Sequence, residues 1–340
     1  MTAGLDWTAD YRAFTYHGGA LEVARQLAPR APEPWIDLST GINPHAYPLS
    51  DLKPEVWSRL PERVALAELE AAAARRYGVT AVSVIAGPGS QALIHALAHI
   101  LPHRAVGALG PTYGGFATAF TSAGARVVEA RQLDDMRALE VAIVVNPNNP
   151  DGRITPLDAL LELHARLARR GGTLIVDEAF ADFNADSESL APSLPPSGAI
   201  VLRSFGKAYG LAGLRLGFAL ASPDTVSSLR AALGAWPVSG PAIAIGIRAL
   251  SDSDWLETMR ARLGGDVARL DTLLLGAGWR IIGGTRLFRF AAHADARAAF
   301  ERLLAAGILI RPFAGVPDRL RFGIPGDENA WRRLSVALRS

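Results

Sequence analysis

The chain has 340 residues, 49% of them hydrophobic and 20% charged, which is ordinary globular composition with enough apolar material for two or three domains of about 100–200 residues each. Its 35 Lys and Arg against 33 Asp and Glu leave a net charge of +2; the basic residues are scattered, so the pI near 9.1 does not argue for a nucleic-acid partner. The lack of cysteine excludes disulfides, thiolate metal ligands and a thiol nucleophile and accords with a cytoplasmic setting, and neither a secretory leader nor a membrane-spanning run of ~18 apolar residues is expected from the pattern.

In chain order, residues 1–45 show few long regular patterns. They are expected to cover a ligand cleft and to pack on the C-terminal part of the chain. From 46 to 240 short β-branched runs alternate with helical segments. "VSVIAG" (82–87) reads as a strand and "SQALIHALAHIL" (90–101) as a helix. "RAVGALG" (104–110), "ARVVEA" (125–130) and "VAIVVN" (141–146) read as strands, and "PLDALLELHARLARRG" (156–171) as an amphipathic helix stopped by Gly171. "GTLIVDEAF" (172–180), "AIVLRS" (199–204) and "RLGFAL" (215–220) are further strands, with "APSLPPSGA" (191–199) a loop. This alternation predicts an α/β fold, a mostly parallel sheet wrapped by helices in a large domain over 46–240. Over 241–340 a helix-rich stretch runs to Gly278. "TRLFRFAA" (285–292), the helix 296–307, "ILIRP" (308–312), "RLRFGI" (319–324) and a last helix to 339 then predict a smaller α+β domain.

Ligands of parallel sheets bind at the carboxyl ends of the strands, and there the informative residues lie. Gly87, Gly89, Ser90 and Gln91 stand between a strand and a helix, where free N–H groups bind anions; an ordinary glycine turn explains them equally well. Tyr113 in "GPTYGGF" can stack on a flat ring or pack in the core. "NPNNPDG" (146–152) is turn chemistry, and Asn149 can also donate to a ligand oxygen. Asp177 ends an apolar strand and needs a cation or donor, a structural ion pair being the plain alternative. "RSFGKAYGLAGLRLGF" (203–218) sets Ser204, Lys207 and Arg215 in a tract poor in charge. A lysine that attacks a carbonyl needs such surroundings, because desolvation lowers the pKa of an ammonium group. Arg215 can grip a phosphate with two parallel hydrogen bonds, or be a strand-edge arginine. Taken together the set describes a phosphate, a ring nitrogen wanting a carboxylate, a ring oxygen and an aldehyde wanting a lysine, which is pyridoxal 5'-phosphate.

Through "NPNNPDG", "DEAFADF" and "RSFGKAYGLAGLRLGF" the chain resembles the aspartate-aminotransferase superfamily of pyridoxal-phosphate enzymes over nearly its whole length. Within it, the chain is similar to the branch shared by histidinol-phosphate aminotransferases and the threonine-phosphate decarboxylases of cobalamin biosynthesis. "HGG" (17–19), "DLSTGINP" (37–44) and "ILIRPFAG" (308–315) favour the decarboxylases, which carry His-Gly-Gly near the start and an Asp-Phe-Ser-x-x-Ile-Asn-Pro run. The resemblance implies the pyridoxal-phosphate transferase fold of type I and a homodimer with active sites formed between subunits. It implies Lys207 as the residue bonded to the cofactor aldehyde, Asp177 on the pyridine nitrogen, Asn149 on the ring oxygen and Tyr113 on the ring face. Gly89, Ser90, Gln91, Ser204 and Arg215 would hold the phosphate. Arg321 would take the substrate carboxylate, with Arg311, His17, Gly18 and Asn43 lining the remainder of the substrate site. The implied reaction is decarboxylation of O-phospho-L-threonine; the rivals are transamination of the histidinol-phosphate type and a non-catalytic sensor.

Three residues depart from the family pattern. Leu60 stands where relatives have a tyrosine that reaches a neighbouring subunit's cofactor phosphate. Gly41 replaces an asparagine near the substrate. Phe180 replaces the tyrosine of many aminotransferases and is familiar among the decarboxylases. His95, His99 and His103 recur every four residues without an adjacent acid, so surface or packing roles are expected rather than a metal site.

Overall fold

The structure, a computed structural model, describes residues 13–15, 17–49, 51–101, 105–184 and 188–339. His103 and most of the stretch read for a leader lie outside the described residues. The chain divides into two compact units, one holding Ala46–Asn149 and Arg153–Glu257, the other Met1–His45, Pro150–Gly152 and Thr258–Ser340.

The first unit is built on a seven-stranded sheet. Its strands are β2 (Val84–Gly87), β3 (Ala105–Leu109), β4 (Arg126–Ala130), β5 (Val141–Val145), β6 (Thr173–Asp177), β7 (Ala199–Ser204) and β8 (Gly217–Leu220), in the order β2-β8-β7-β6-β5-β3-β4. β4, β3, β5, β6 and β7 are mutually parallel, while β8 runs antiparallel to both its neighbours. The central strands are buried on both faces, which is why they read as unbroken Val-, Ile- and Leu-rich runs rather than alternating ones. Helices Ser90–Ile100 and Gly115–Ser122 bury Leu93, Ile94, Leu97, Phe116 and Phe120 against one part of that sheet. Side chains on a helix at spacings of three and four share a face, and this is the spacing shown by Leu93, Leu97 and their neighbours.

The second unit has its own core. A four-stranded antiparallel sheet, ordered β12 (Arg311–Pro312), β13 (Arg319–Gly323), β10 (Phe288–Ala292) and β9 (Arg280–Thr285), is accompanied by the parallel pair β1 (Ile36–Asp37) and β11 (Ile308–Leu309). Phe14, Ala24 and Leu38 join Phe300, Leu303, Leu320, Phe322 and Trp331 in one apolar cluster, with the Phe14 and Phe300 rings edge to face at 5.4 Å. Two expected strands are divided. "TRLFRFAA" spans a hairpin, since Thr285 ends β9 and Phe288 opens β10, and the glycine-bearing β9 went unread because "RIIGGT" has weak alternation. "ILIRP" splits after Leu309: its first half pairs with β1 and its second with β13.

Gly217 is the residue on which the sheet and the Ser90 helix meet. A Cβ there would lie 2.5 Å from the Ser90 nitrogen and 2.9 Å from the Gly89 carbonyl carbon, both backbone atoms. Gly217→Ala is therefore expected to destabilise the protein by about 1–3 kcal/mol, measured as a fall in the urea midpoint, because the loop at Gly89 must shift to admit a methyl group.

Candidate active site

β5, β6 and β7 lie side by side, with Val145 opposite Asp177 and Asp177 opposite Leu202, so the residues that follow them leave the sheet at one edge. Asn149 follows β5, Asp177 ends β6, and Ser204 ends β7 and opens the short helix Phe205–Ala208 that carries Lys207. The structure thus brings together residues that are far apart in the chain. Asn146 and Asn148 are used by the loop itself. The Asn146 amide exchanges hydrogen bonds with the Thr155 backbone at 3.0 and 2.9 Å, while Asn148 donates to the Pro111 carbonyl at 3.0 Å and accepts from the Thr112 hydroxyl at 2.6 Å. Asn149 is buried beside them. Lys207 is half-buried, its Nζ 5.5 Å from the centre of the Phe180 ring.

The helix Ser90–Ile100 begins without a side-chain cap, so its first N–H groups are donors in waiting. Gly89, at φ 88°, turns the chain into it, and a Cβ on Gly89 would fall 2.6 Å from Nη2 of Arg215. Only a glycine lets that guanidinium lie against the helix start. Arg215 is itself exposed and left-handed, and its Nη1 donates to the Ala212 carbonyl at 3.2 Å. Tyr113 donates to Gln91 Oε1 at 2.8 Å, which joins the ring expected over the cofactor to a residue expected at the phosphate. His95 and His99 are exposed on that helix.

A cluster that sequence reasoning missed lies next to Asp177. Arg203, 4% exposed, donates from Nη1 to Glu178 and from Nη2 to Asp182, both at 2.6 Å. Glu178 also accepts from Ser189 Oγ at 2.5 Å and from the Leu190 N–H at 2.8 Å; Arg76 stands 3.6 Å from Asp182, and the Tyr77 ring lies 4.5 Å from the Arg203 guanidinium. Two acids four apart in "DEAFAD" and an arginine inside the apolar "AIVLRS" were the available signal.

In the other unit Arg311 and Arg321 are cross-strand partners on β12 and β13. Arg321, 1% exposed, donates from Nη2 to the Ser39 carbonyl at 2.6 Å and lies over Phe288 at 4.9 Å. Burial first, and the Arg311 charge second, push its pKa well below the usual arginine range, against the pull of Asp37. The Ser39 hydroxyl donates to Asp37 at 2.6 Å and accepts from the Gly19 N–H at 2.8 Å; a Cβ on Gly18 would come within 2.4 Å of the Ser39 carbonyl oxygen. The His-Gly-Gly segment therefore packs on the same residue that holds Arg321, with His17 exposed at its edge and bonded through Nδ1 to the Gly18 carbonyl at 2.9 Å. Asn43 is buried, and its side-chain oxygen accepts from the His45 N–H at 2.9 Å. Gly41 has φ 62°, a backbone state that asparagine also adopts, so the exchange of one for the other keeps the turn.

Asp177 is 4% exposed, and among the described residues its carboxylate accepts from the Ala179 N–H, at 3.1 Å. Desolvation pushes its pKa up to about 6; Glu178 adds to the rise, while the Ala179 N–H, Lys207 and Arg203 oppose it. In an unfolded chain an aspartate titrates near ~3.9. The folded protein thus binds the Asp177 proton more tightly than the unfolded one. Its contribution to stability is full below about pH 4 and is lost as the pH rises through about 6. In the cofactor-free protein Asp177→Asn is expected to raise stability at pH 7.5 by on the order of 2–3 kcal/mol and to change it little at pH 4. Urea unfolding at the two pH values measures the difference.

The residues present fit pyridoxal phosphate: a buried carboxylate for a ring nitrogen, an amine for an aldehyde, and an uncapped helix start with a guanidinium against its glycine for a phosphate. Comparison with known proteins agrees. The model of the aminotransferase class I and II family matches residues 33–338. A threonine-phosphate decarboxylase of Pseudomonas aeruginosa is 43% identical over 95% of this chain and 96% of its own length. A histidinol-phosphate aminotransferase of Sphingopyxis alaskensis is 30% identical over 90% of this chain and 91% of its own. In fold, the chain superposes on the crystal structure of histidinol-phosphate aminotransferase from Sinorhizobium meliloti in complex with pyridoxal-5'-phosphate with a TM-score of 0.82, at 22% identity over 100% of this chain and 98% of that one. With its strand-end lysine, aspartate and asparagine in that fold, and a family match over most of its length, the chain belongs to the aminotransferase class I and II family and uses pyridoxal phosphate.

Proposed function

We propose that the chain decarboxylates O-phospho-L-threonine to (R)-1-amino-2-propanol phosphate for cobalamin biosynthesis, acting in the cytoplasm as a homodimer. The observation that carries this reading is the 43% identity to a threonine-phosphate decarboxylase over nearly both full lengths. A substrate with a carboxylate and a phosphate needs two anion anchors, and the facing pair Arg311 and Arg321 supports that demand. The dimer is supported by Leu49, Trp57, Leu60 and Val64, large apolar side chains left exposed within sixteen residues of one another. Leu60 ends in carbon only, so the hydroxyl contact that relatives make across their dimer has no counterpart at this position.

When bound, pyridoxal phosphate supplies an electron sink for the pair left behind by the departing carbon dioxide. Asp177 holds a proton on the ring nitrogen by keeping a negative charge against it. Asn149 donates to the ring oxygen, and Tyr113, fixed by Gln91, covers the ring face. Gly89, Ser90, Ser204 and Arg215 fasten the phosphate. Arg321 would orient the substrate carboxylate, Arg311 with His17 and Gly18 would receive the substrate phosphate, and Asn43 would line the substrate site. Lys207 would hold the cofactor aldehyde, and its amine would be the group placed to return a proton to the α-carbon.

Lys207→Ala is expected to abolish turnover in a folded protein. Arg311→Ala is expected to weaken phosphothreonine binding by about 2–5 kcal/mol and to leave cofactor affinity near that of the wild type, read as KM against cofactor titration. A substrate panel that detects carbon dioxide and keto acid separately tests the reaction. Wild-type protein that releases no carbon dioxide from phosphothreonine, yet makes glutamate from histidinol phosphate and 2-oxoglutarate, would replace this reading with transamination.

A further inference from the structure

The Arg203 guanidinium bonds Glu178 and Asp182 rather than a group assigned to the cofactor, yet it lies close in the chain to several of those groups. It lies on β7 one residue before Ser204 and four before Lys207. Its two carboxylate partners flank Phe180: Glu178 directly follows Asp177, and Asp182 closes the same turn. The Glu178 N–H bonds the Leu202 carbonyl at 2.9 Å, so the exit of β6 is tied to β7 by backbone as well as side chain. Consecutive side chains of an extended chain leave on opposite sides. A cation that grips Glu178 therefore sets the direction of Asp177 without meeting it.

We infer that Arg203 is a positioning residue for the cofactor, a clamp that holds the Asp177–Asp182 turn in register with the Lys207 helix. The geometry requires a planar fork. The two N–H groups serve two carboxylates at 2.6 Å each, which a single ammonium cannot reproduce. The turn is also held where Ser189 Oγ and the Leu190 N–H bond Glu178 and where Arg76 reaches Asp182 at 3.6 Å. Released from Arg203, the turn would carry Asp177 and the Phe180 ring, 5.5 Å from Lys207 Nζ, away from their set places. The charge balance changes as well. Removing the guanidinium leaves Glu178 as a buried negative group beside Asp177 and takes away one of the cations that hold the Asp177 pKa down.

The inference rests on the assignment of Lys207 and Asp177 to pyridoxal phosphate, and the experiment separates the two. Apo-protein of wild type, Arg203→Lys and Asp182→Asn is titrated with pyridoxal phosphate, and three quantities are read: the dissociation constant, the visible circular dichroism of the bound cofactor, and the thermal midpoint without cofactor. A clamp predicts a dissociation constant raised by about tenfold for Arg203→Lys and by about threefold for Asp182→Asn, with an altered dichroic band in both. A merely structural arginine predicts a lower thermal midpoint with affinity and band unchanged, which overturns the inference. If Arg203→Lys does not fold, Asp182→Asn decides alone, and an unchanged affinity and band there overturn it equally. Failure of the site assignment registers differently: wild-type protein would then bind no pyridoxal phosphate, and the clamp would fall with it.

Discussion

A carboxylate taken out of water at the end of an apolar strand destabilises the chain that carries it until a positive group arrives. Asp177 stands in that setting, with the Lys207 and Arg203 charges offsetting part of the cost. The parallel strands β5, β6 and β7 are wholly buried because helices cover them, and that burial desolvates the strand end. The cations nearest to it are otherwise engaged or only half-buried: Arg203 is spent on Glu178 and Asp182, and Lys207 faces Phe180. On the proposed function, the remaining cost at Asp177 is what a protonated ring nitrogen would offset.

The phosphate end rests on the opposite imbalance. There the helix start at Ser90 lacks a side-chain cap, and the Arg215 guanidinium lies against Gly89, so two positive ends converge. On the proposed function, one ligand negative at one end and protonated on its ring would relieve both. Backbone geometry enforces the arrangement at two glycines that touch: a side chain at Gly89 would displace Arg215, and one at Gly217 would displace the Ser90 turn.

The second unit stores charge in a similar way. Arg311 and Arg321 face each other across a two-strand pairing, an unfavourable juxtaposition of like charges in a setting with little water. Burial weighs most on Arg321, Arg311 adds to it, and the Asp37 charge offsets part of it; Ser39, on which the His-Gly-Gly segment packs, bonds both Asp37 and Arg321.

The strand–helix alternation, the lysine, the aspartate at a strand end and the glycine-rich turn were legible in the sequence because each follows from a local rule: the period of apolar residues, the cost of an isolated charge, the turn preferences of Gly, Asn and Pro. The Arg203 cluster was not legible. Its members come from residues 76, 77, 178, 182, 189 and 203, and no local pattern tells which acid a buried arginine will meet. The same holds for the break in "ILIRP", where Leu309 pairs with β1 and Arg311 with β13. Composition and periodicity by themselves determined the strand–helix alternation of the first unit and which side chains were too polar for where they stood, but not β9 or the division of "ILIRP". Which of those side chains would meet was decided by the order of strands in the sheets, because contacts between residues a hundred positions apart depend on packing that has no period in the chain.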